Sequence, residues 1–359
     1  TGYLFDELSS GRVRPEGVIA TTFTKKAAAE LVERVRRRLA EQQRHDLAAS
    51  IGQSLIGTVN GVCGQLLTRY AFEAGLSPDL AVLDEESGRL LFGQALEQAA
   101  DLADIRMMNA LEHRLGQEDW KGEVKRVVDM ARANNLAAED LPAQAERSLK
   151  DYLTFFPKPL TRDPDAQLGK AIAKAIREIE SNGDETKGTL KYLDDLRAAQ
   201  RGLENGQFPW SQWVKLSKAA PTKRSLDSAA PVQDIALDYE RHPGLRRDLE
   251  EWTRGVFALA AKALRTYERF KAERGLMDFV DQEQKVLHLL ELPEVAASIS
   301  EELDLLLVDE FQDTSPIQLG VFLKLATLAK KTVWVGDVKQ AIYGFRGCDP
   351  ELMNAVVRG

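Results

Sequence analysis

The spacing of apolar residues changes along the chain, and each change predicts a different kind of element. Val18-Ile19-Ala20-Thr21-Thr22-Phe23 is a short, β-branched apolar run that predicts a strand. Ala28, Leu31, Val32, Val35 and Leu39 then recur at spacings of three and four and predict a helix. Leu55 to Val59 predicts a second strand, and Val62, Leu66, Leu67 and Tyr70 a helix starting near Gly61. From about Glu85 to Arg274 helical spacing dominates and no segment reads as a strand. Two breaker-rich stretches, Pro157 to Pro164 and Gly206 to Pro231, interrupt it, and Leu245 to Arg274 predicts one long helix. After Asp278 the strand pattern returns. Leu303 to Val308 is a near-continuous apolar run, as in a strand buried on both faces of a parallel sheet, and Thr332 to Val335 predicts another strand. The expected fold is α/β: one parallel-sheet domain, residues 1–84 and 276–359, split by a mainly helical insertion, residues 85–275.

Composition narrows the function classes. A length of 359 residues suggests roughly two domains, and 44% hydrophobic with 29% charged residues fits a globular chain. Two cysteines, Cys63 and Cys348, cannot build a disulfide framework or a four-cysteine zinc site, and four scattered histidines argue against a His-rich metal centre. No apolar run approaches the roughly 18 residues of a membrane span, and no signal-peptide layout opens the chain, so a reducing cytoplasm without membrane contact is the expected setting. The net charge of −8 does not by itself point to nucleic acid. Locally the balance reverses: Lys25 to Arg44 holds seven Lys/Arg against three Glu, either a solvated helix face or a basic surface.

Three segments carry candidate chemistry. Leu305 to Val308 delivers Asp309 and Glu310 to the C-terminal end of a buried strand, the edge at which ligands bind in open α/β sheets. In a P-loop NTPase an Asp there holds Mg²⁺ and an adjacent Glu orients or deprotonates the attacking water. The second segment, Gly336 to Gly347, follows another strand. Gln340 can sense a terminal phosphate, while Tyr343, Phe345 and Arg346 combine ring faces with a guanidinium, suited to stacking a base and gripping a backbone. Tyr343 and Phe345 equally suit a core. In the third segment, Thr22-Phe23-Thr24 precedes a helix N-terminus, whose free N–H groups favour phosphate; Thr24 also reads as an ordinary N-cap.

In their order these segments resemble the UvrD/Rep-like helicases of superfamily 1. Thr22 to Leu31 is similar to motif Ia, Gly57 to Leu67 to motif Ib, and Met277-Asp278-Phe279 to the short motif before the Walker B strand. Asp309 to Gln318 is similar to motif II and Gly336 to Gly347 to motif III, and Lys339-Gln340-Ala341-Ile342-Tyr343 leans toward the RecB/AddA branch. The resemblance implies a RecA-like P-loop NTPase domain with an inserted subdomain, and an ATP- and Mg²⁺-dependent DNA helicase or translocase of repair or recombination, with 3′ to 5′ polarity. It assigns Asp309 to Mg²⁺, Glu310 to water and Gln340 to the γ-phosphate. It lays Thr22, Phe23, Thr58, Tyr343, Phe345 and Arg346 along single-stranded DNA. The implied partners are single-stranded and ss/ds junction DNA, a second RecA-like domain, and a fused nuclease or partner subunit. Two departures stand out. Thr58-Val59-Asn60-Gly61 replaces the usual Thr-Phe/Ile-His-Ser, and no Gly-x-x-x-x-Gly-Lys-Ser/Thr occurs. Thr1-Gly2-Tyr3-Leu4 resembles the continuation of that loop, with Thr1 its last residue and a second Mg²⁺ ligand, so the chain reads as an N-terminal fragment lacking the Walker A loop and motifs IV to VI. The alternative is a non-catalytic DNA-binding or scaffold protein that kept the fold.

Overall fold

In the computed structural model, which describes residues 1–76, 81–206 and 208–337, four parallel strands form a sheet. They are β1 (Val18–Thr22), β2 (Leu55–Thr58), β5 (Leu305–Val308) and β6 (Lys331–Trp334), in the order β2-β1-β5-β6. The register pairs Thr22 with Thr58, Thr21 with Val308, and Val308 with Trp334. Every residue of β1 and β5 is buried, as expected for central strands covered on both faces. Successive side chains go to opposite faces. Ile19, Leu306 and Val308 join a core with the helices Val59–Arg69, Phe279–Leu289, Pro293–Glu302 and Pro316–Leu328. Val18, Ala20, Leu305 and Leu307 join another with Gly2–Ser9, Lys25–Glu41 and His45–Ser50. Each fully buried Leu or Ile contributes about 1.5–3 kcal/mol, so the two apolar faces fix the register that aligns the strand ends.

A second, two-stranded parallel ladder pairs β3 (Ala81–Val82) with β4 (Leu276–Met277). Neither strand was expected. Elsewhere the observed ends differ little from the expected ones: the helix expected after β1 spans Lys25–Glu41, the one expected after β2 starts at Val59 rather than near Gly61, and the long helix spans Pro243–Glu273.

The chain packs as two compact units. Among the described residues, one comprises Thr1–Gln94, Asp129–Ala137 and Tyr267–Asp337; the other comprises Ala95–Val128 and Ala138–Thr266. The second unit is helical throughout its described residues. Its core aligns Leu168, Ile172, Ala175 and Ile179 of the helix Pro164–Ser181 with Tyr192, Leu193, Leu196 and Ala199 of Lys187–Glu204. The stretch 206–231, expected to interrupt the helices, instead contains the helix Trp210–Lys218, and Pro231 lies inside the helix Leu226–Leu237. Burial of Trp210, Trp213, Ala229 and Val232 in that core outweighs the hydrogen bond that proline removes.

Candidate active site

Because all four strands are parallel, their C-terminal ends share one edge of the sheet. β5 delivers Asp309 there, and its N–H donates to Thr21 O at 3.0 Å, extending the ladder one step beyond the strand. Glu310 then turns the chain with φ 53° and ψ 41°, the left-handed region. For a residue with a Cβ that conformation costs about 1–3 kcal/mol, and such strain collects at functional sites. A single 3₁₀ turn, Phe311–Asp313, follows. Ser315 caps the next helix reciprocally with Gln318, and Pro316 stands at its first turn.

The end of β6 docks against this turn. Phe311 N donates to Val335 O at 3.1 Å, and the Phe311 ring meets Trp334 edge-on at 5.6 Å. Gln312, 2% exposed, accepts from Asp337 N at 3.1 Å and donates to Glu310 Oε2 at 2.5 Å.

Asp309 is half-buried and Glu310 exposed. Burial pushes the Asp309 carboxyl up, and the Glu310 charge pushes the same way. The Glu310 N–H pulls it back without cancelling the rise. The fold thus disfavours the ionised Asp309, and a divalent cation would supply the missing compensation. Thr1, exposed, caps the helix Gly2–Ser9 with its backbone, Phe5 N donating to Thr1 O at 3.1 Å, and its hydroxyl makes no capping bond. An Asp carboxylate at a strand end fits Mg²⁺, which takes one or two carboxylates and fills its shell with water and phosphate oxygens.

The other sequence candidates fall as follows. Thr22 is buried and its hydroxyl donates to Thr24 O at 3.1 Å; Thr58 Oγ1 accepts from Gly61 N at 3.2 Å as a helix cap. Both hydroxyls are used within the fold. Phe23, beyond the end of β1, is 41% exposed. Gln340, Tyr343, Phe345 and Arg346 lie outside the described residues.

The UvrD/REP helicase N-terminal domain family matches residues 3–358 of this sequence. The chain belongs to that family. Among curated relatives, it is 23% identical to the A subunit of the ATP-dependent helicase/nuclease of Natranaerobius thermophilus, over 94% of this chain and 31% of that protein. The proteins of the same name from Listeria monocytogenes and Levilactobacillus brevis are 25% and 26% identical, over 96% and 97% of this chain and 32% of each relative. The chain therefore spans about a third of the length of the curated relatives it matches. They are of the RecB/AddA type toward which the sequence leans.

In this UvrD/REP domain the parallel sheet is the RecA-like part, and the helical excursion is its insertion. The family motif Met277-Asp278-Phe279 leads into a buried ion network. Asp278 caps the helix Phe279–Leu289 reciprocally with Asp281. Arg132 Nη2 donates to Asp278 Oδ1 at 2.6 Å and to Asp281 Oδ1 at 2.9 Å; Lys271 Nζ reaches Asp281 Oδ1 at 2.6 Å, and Tyr267 OH donates to Asp278 Oδ2 at 2.8 Å. Burial pushes the Asp278 carboxyl up. The Arg132 hydrogen bond and charge, with Lys271, more than offset it and hold the group well below the usual carboxylate range. The sequence alone gave Asp278 no role beyond its place in a motif, and it did not point to Arg132, Lys271 or Tyr267 at all. It also left Gln312 and Gly336 without roles, although both lie inside family motifs. An acid pair at i, i+3 opening a helix is the local signal that could have pointed to Asp278 and Asp281.

Among the described residues no three His, Cys, Asp or Glu side chains gather as a metal site, and no helix is long and apolar enough to cross a membrane.

Proposed function

We propose that this chain is the part of an ATP-driven DNA helicase or translocase that holds Mg²⁺·ATP and one side of a DNA single strand. One observation carries the reading: at the end of β5, on the C-terminal edge of the parallel sheet, stands a half-buried carboxylate, Asp309, raised by burial and by Glu310. Asp309 and the Thr1 hydroxyl serve as Mg²⁺ ligands. Glu310 takes the proton of the attacking water, and Gln340 reports the γ-phosphate. The sequence holds no phosphate-binding Gly-x-x-x-x-Gly-Lys-Ser/Thr, so the lysine that would counter phosphate charge is not among these residues.

Single-stranded DNA runs past Thr22, Phe23 and Thr58 on the same edge, and past Tyr343, Phe345 and Arg346. Lys25 and Lys26 support this. They occupy the first turn of the helix Lys25–Glu41, and no acidic residue stands in that turn, so side-chain charge adds to the positive end of the helix dipole beside Phe23. Residues 1–84 and 276–359 form subdomain 1A and residues 85–275 subdomain 1B, which meets the duplex at an ss/ds junction. Translocation is 3′ to 5′, in the cytoplasm, in DNA repair or recombination. A second RecA-like domain completes the ATP site. The relatives' names pair helicase with nuclease, which supports a nuclease domain or nuclease-bearing partner.

The test uses the full-length protein. Glu310→Gln is expected to keep Mg·ATP affinity within about threefold and to lower DNA-stimulated turnover about 10²- to 10⁴-fold, the range of a lost general base. Asp309→Ala is expected to weaken Mg·ATP binding itself. Equal loss of nucleotide affinity in both variants would remove the distinction between their roles, and turnover untouched by either would end the reading.

A further inference from the structure

Gln312 sits in the tight turn after β5, yet both ends of its amide are engaged with different segments. Its Nε2 donates to Glu310 Oε2 at 2.5 Å, and its Oε1 accepts from Asp337 N at 3.1 Å. A primary amide carries a donor and an acceptor on one rigid plane. Rotating it by half a turn would set oxygen against carboxylate and NH₂ against N–H, so these two partners allow one orientation. Gly336 makes room for it. A Cβ there would lie 2.5 Å from Gln312 Oε1, 3.0 Å from a Phe311 ring carbon and 3.2 Å from Phe311 N. Three successive residues after β6 therefore rest on the turn after β5: Val335 through its carbonyl, Gly336 through its missing side chain, and Asp337 through its N–H.

We propose that Gln312 is a positioning residue that ties the Glu310 carboxylate to the backbone at Asp337, so that the carboxylate and the loop after β6 move together. The assignment rests on the reading of this edge as an ATP-hydrolysing site. A shift of the loop at Asp337 pulls on the amide, and the amide's hold on Glu310 goes with it. Glu310 holds a left-handed backbone, and this hydrogen bond gives its exposed carboxylate a partner inside the turn.

A double-mutant cycle in the full-length protein tests this. Gln312→Met, which keeps the buried volume, is expected to lower kcat for DNA-stimulated ATP hydrolysis about 10- to 100-fold, as expected when a reacting group is misplaced by roughly 1 Å. KM for ATP and affinity for a single-stranded oligonucleotide should stay within about twofold. Gly336→Ala, which presses on the amide from the loop side, should reproduce the kcat loss without touching either partner. In a Glu310→Gln background, Gln312→Met should cost less than twofold more, because its effect passes through Glu310. A kcat within twofold of the parent in a folded Gln312→Met protein overturns the assignment. So does an undiminished loss in the Glu310→Gln background, or a parallel rise in KM with a large fall in melting temperature. Turnover that requires Glu310 but not Gln312 sinks this assignment alone. A full-length protein without nucleotide turnover sinks the functional reading and this assignment with it.

Discussion

Replacing Arg132 by Met removes one of two cations from a buried network and leaves Asp278 and Asp281 sharing Lys271. Arg132, Lys271 and Asp278 are 7%, 3% and 9% exposed, so solvent cannot stand in for the lost guanidinium. The variant loses charge-assisted hydrogen bonds of 2.6 and 2.9 Å. It also loses a guanidinium 5.5 Å from the Tyr267 ring centroid. Breaking a buried pair by removing one partner costs about 3–5 kcal/mol, and the remaining Lys271 puts the expectation near the low end, about 3 kcal/mol. For a unit of this size that is roughly 6–12 °C in melting temperature. The pH dependence has a definite sign. Asp278 is depressed in the fold, so its stabilisation is fully present above its unfolded value of about 3.9 and is lost as pH falls below it. The gap between parent and variant should therefore narrow below about pH 4. Two states are a poor description of a chain with two units, so hydrogen exchange read by peptide is the better assay. Exchange should rise in 129–137 and 267–289 and stay unchanged in 164–245. A loss under about 2 °C, or exchange rising only in 164–245, would refute the reasoning. Arg132→Met with Asp281→Asn, which restores neutrality, should recover part of the loss.

Two further outcomes follow from the carboxylates. The raised Asp309 means that its charged form costs stability once pH exceeds the unfolded value, so Asp309→Asn should melt slightly higher than the parent at pH 7 without nucleotide or metal, and a lower melting temperature would contradict the origin given for the shift. Asp184 is the opposite case: Thr222 first, then Ser225, Thr186 and Thr189, donate hydroxyl hydrogens to it and, against burial, hold it well below the usual carboxylate range. Its contribution is present above about pH 4 and lost below, so Asp184→Ala should lower the melting of the second unit at pH 7 and converge with the parent in acid. Tryptophan fluorescence reads this directly, since Trp120, Trp210, Trp213 and Trp252 fall in that unit and Trp334 in the other.

The sheet was legible because Val18–Thr22 and Leu305–Val308 are apolar on both faces, a pattern that survives without knowing what covers them. The placing of Asp309 and Glu310 at a strand end followed from it. The Ala81–Val82 ladder was not legible: two residues are too few for a period, and both are exposed. Gly206 to Pro231 misled because glycine and proline act locally, while Trp213 and Val232 are buried by partners far along the chain. Arg132 looked like any basic residue on a helix; its partner Asp278 lies 146 residues on. The left-handed turn at Glu310 has no mark in the sequence, since nothing about glutamate invites a positive φ.

The β3–β4 ladder has a consequence for how this architecture can be cut and exchanged. Ala81 and Val82 lie beside Leu276 and Met277, so the chain leaves and returns at points about one strand spacing apart, roughly 4.8 Å. By backbone geometry alone, everything between is a cassette that a crossover of about a dozen residues could replace, the least that joins two parallel strands. The charges forbid so simple an exchange. Arg132 and Lys271 both belong to the removable stretch, while Asp278 and Asp281 stay behind. A trimmed protein would keep two carboxylates at the head of the helix Phe279–Leu289 with both of these cations gone. Any shortened or swapped version must bring its own positive charge to that spot or lose the acids as well, and that requirement ties the length of the excursion to the identity of residues 278 and 281.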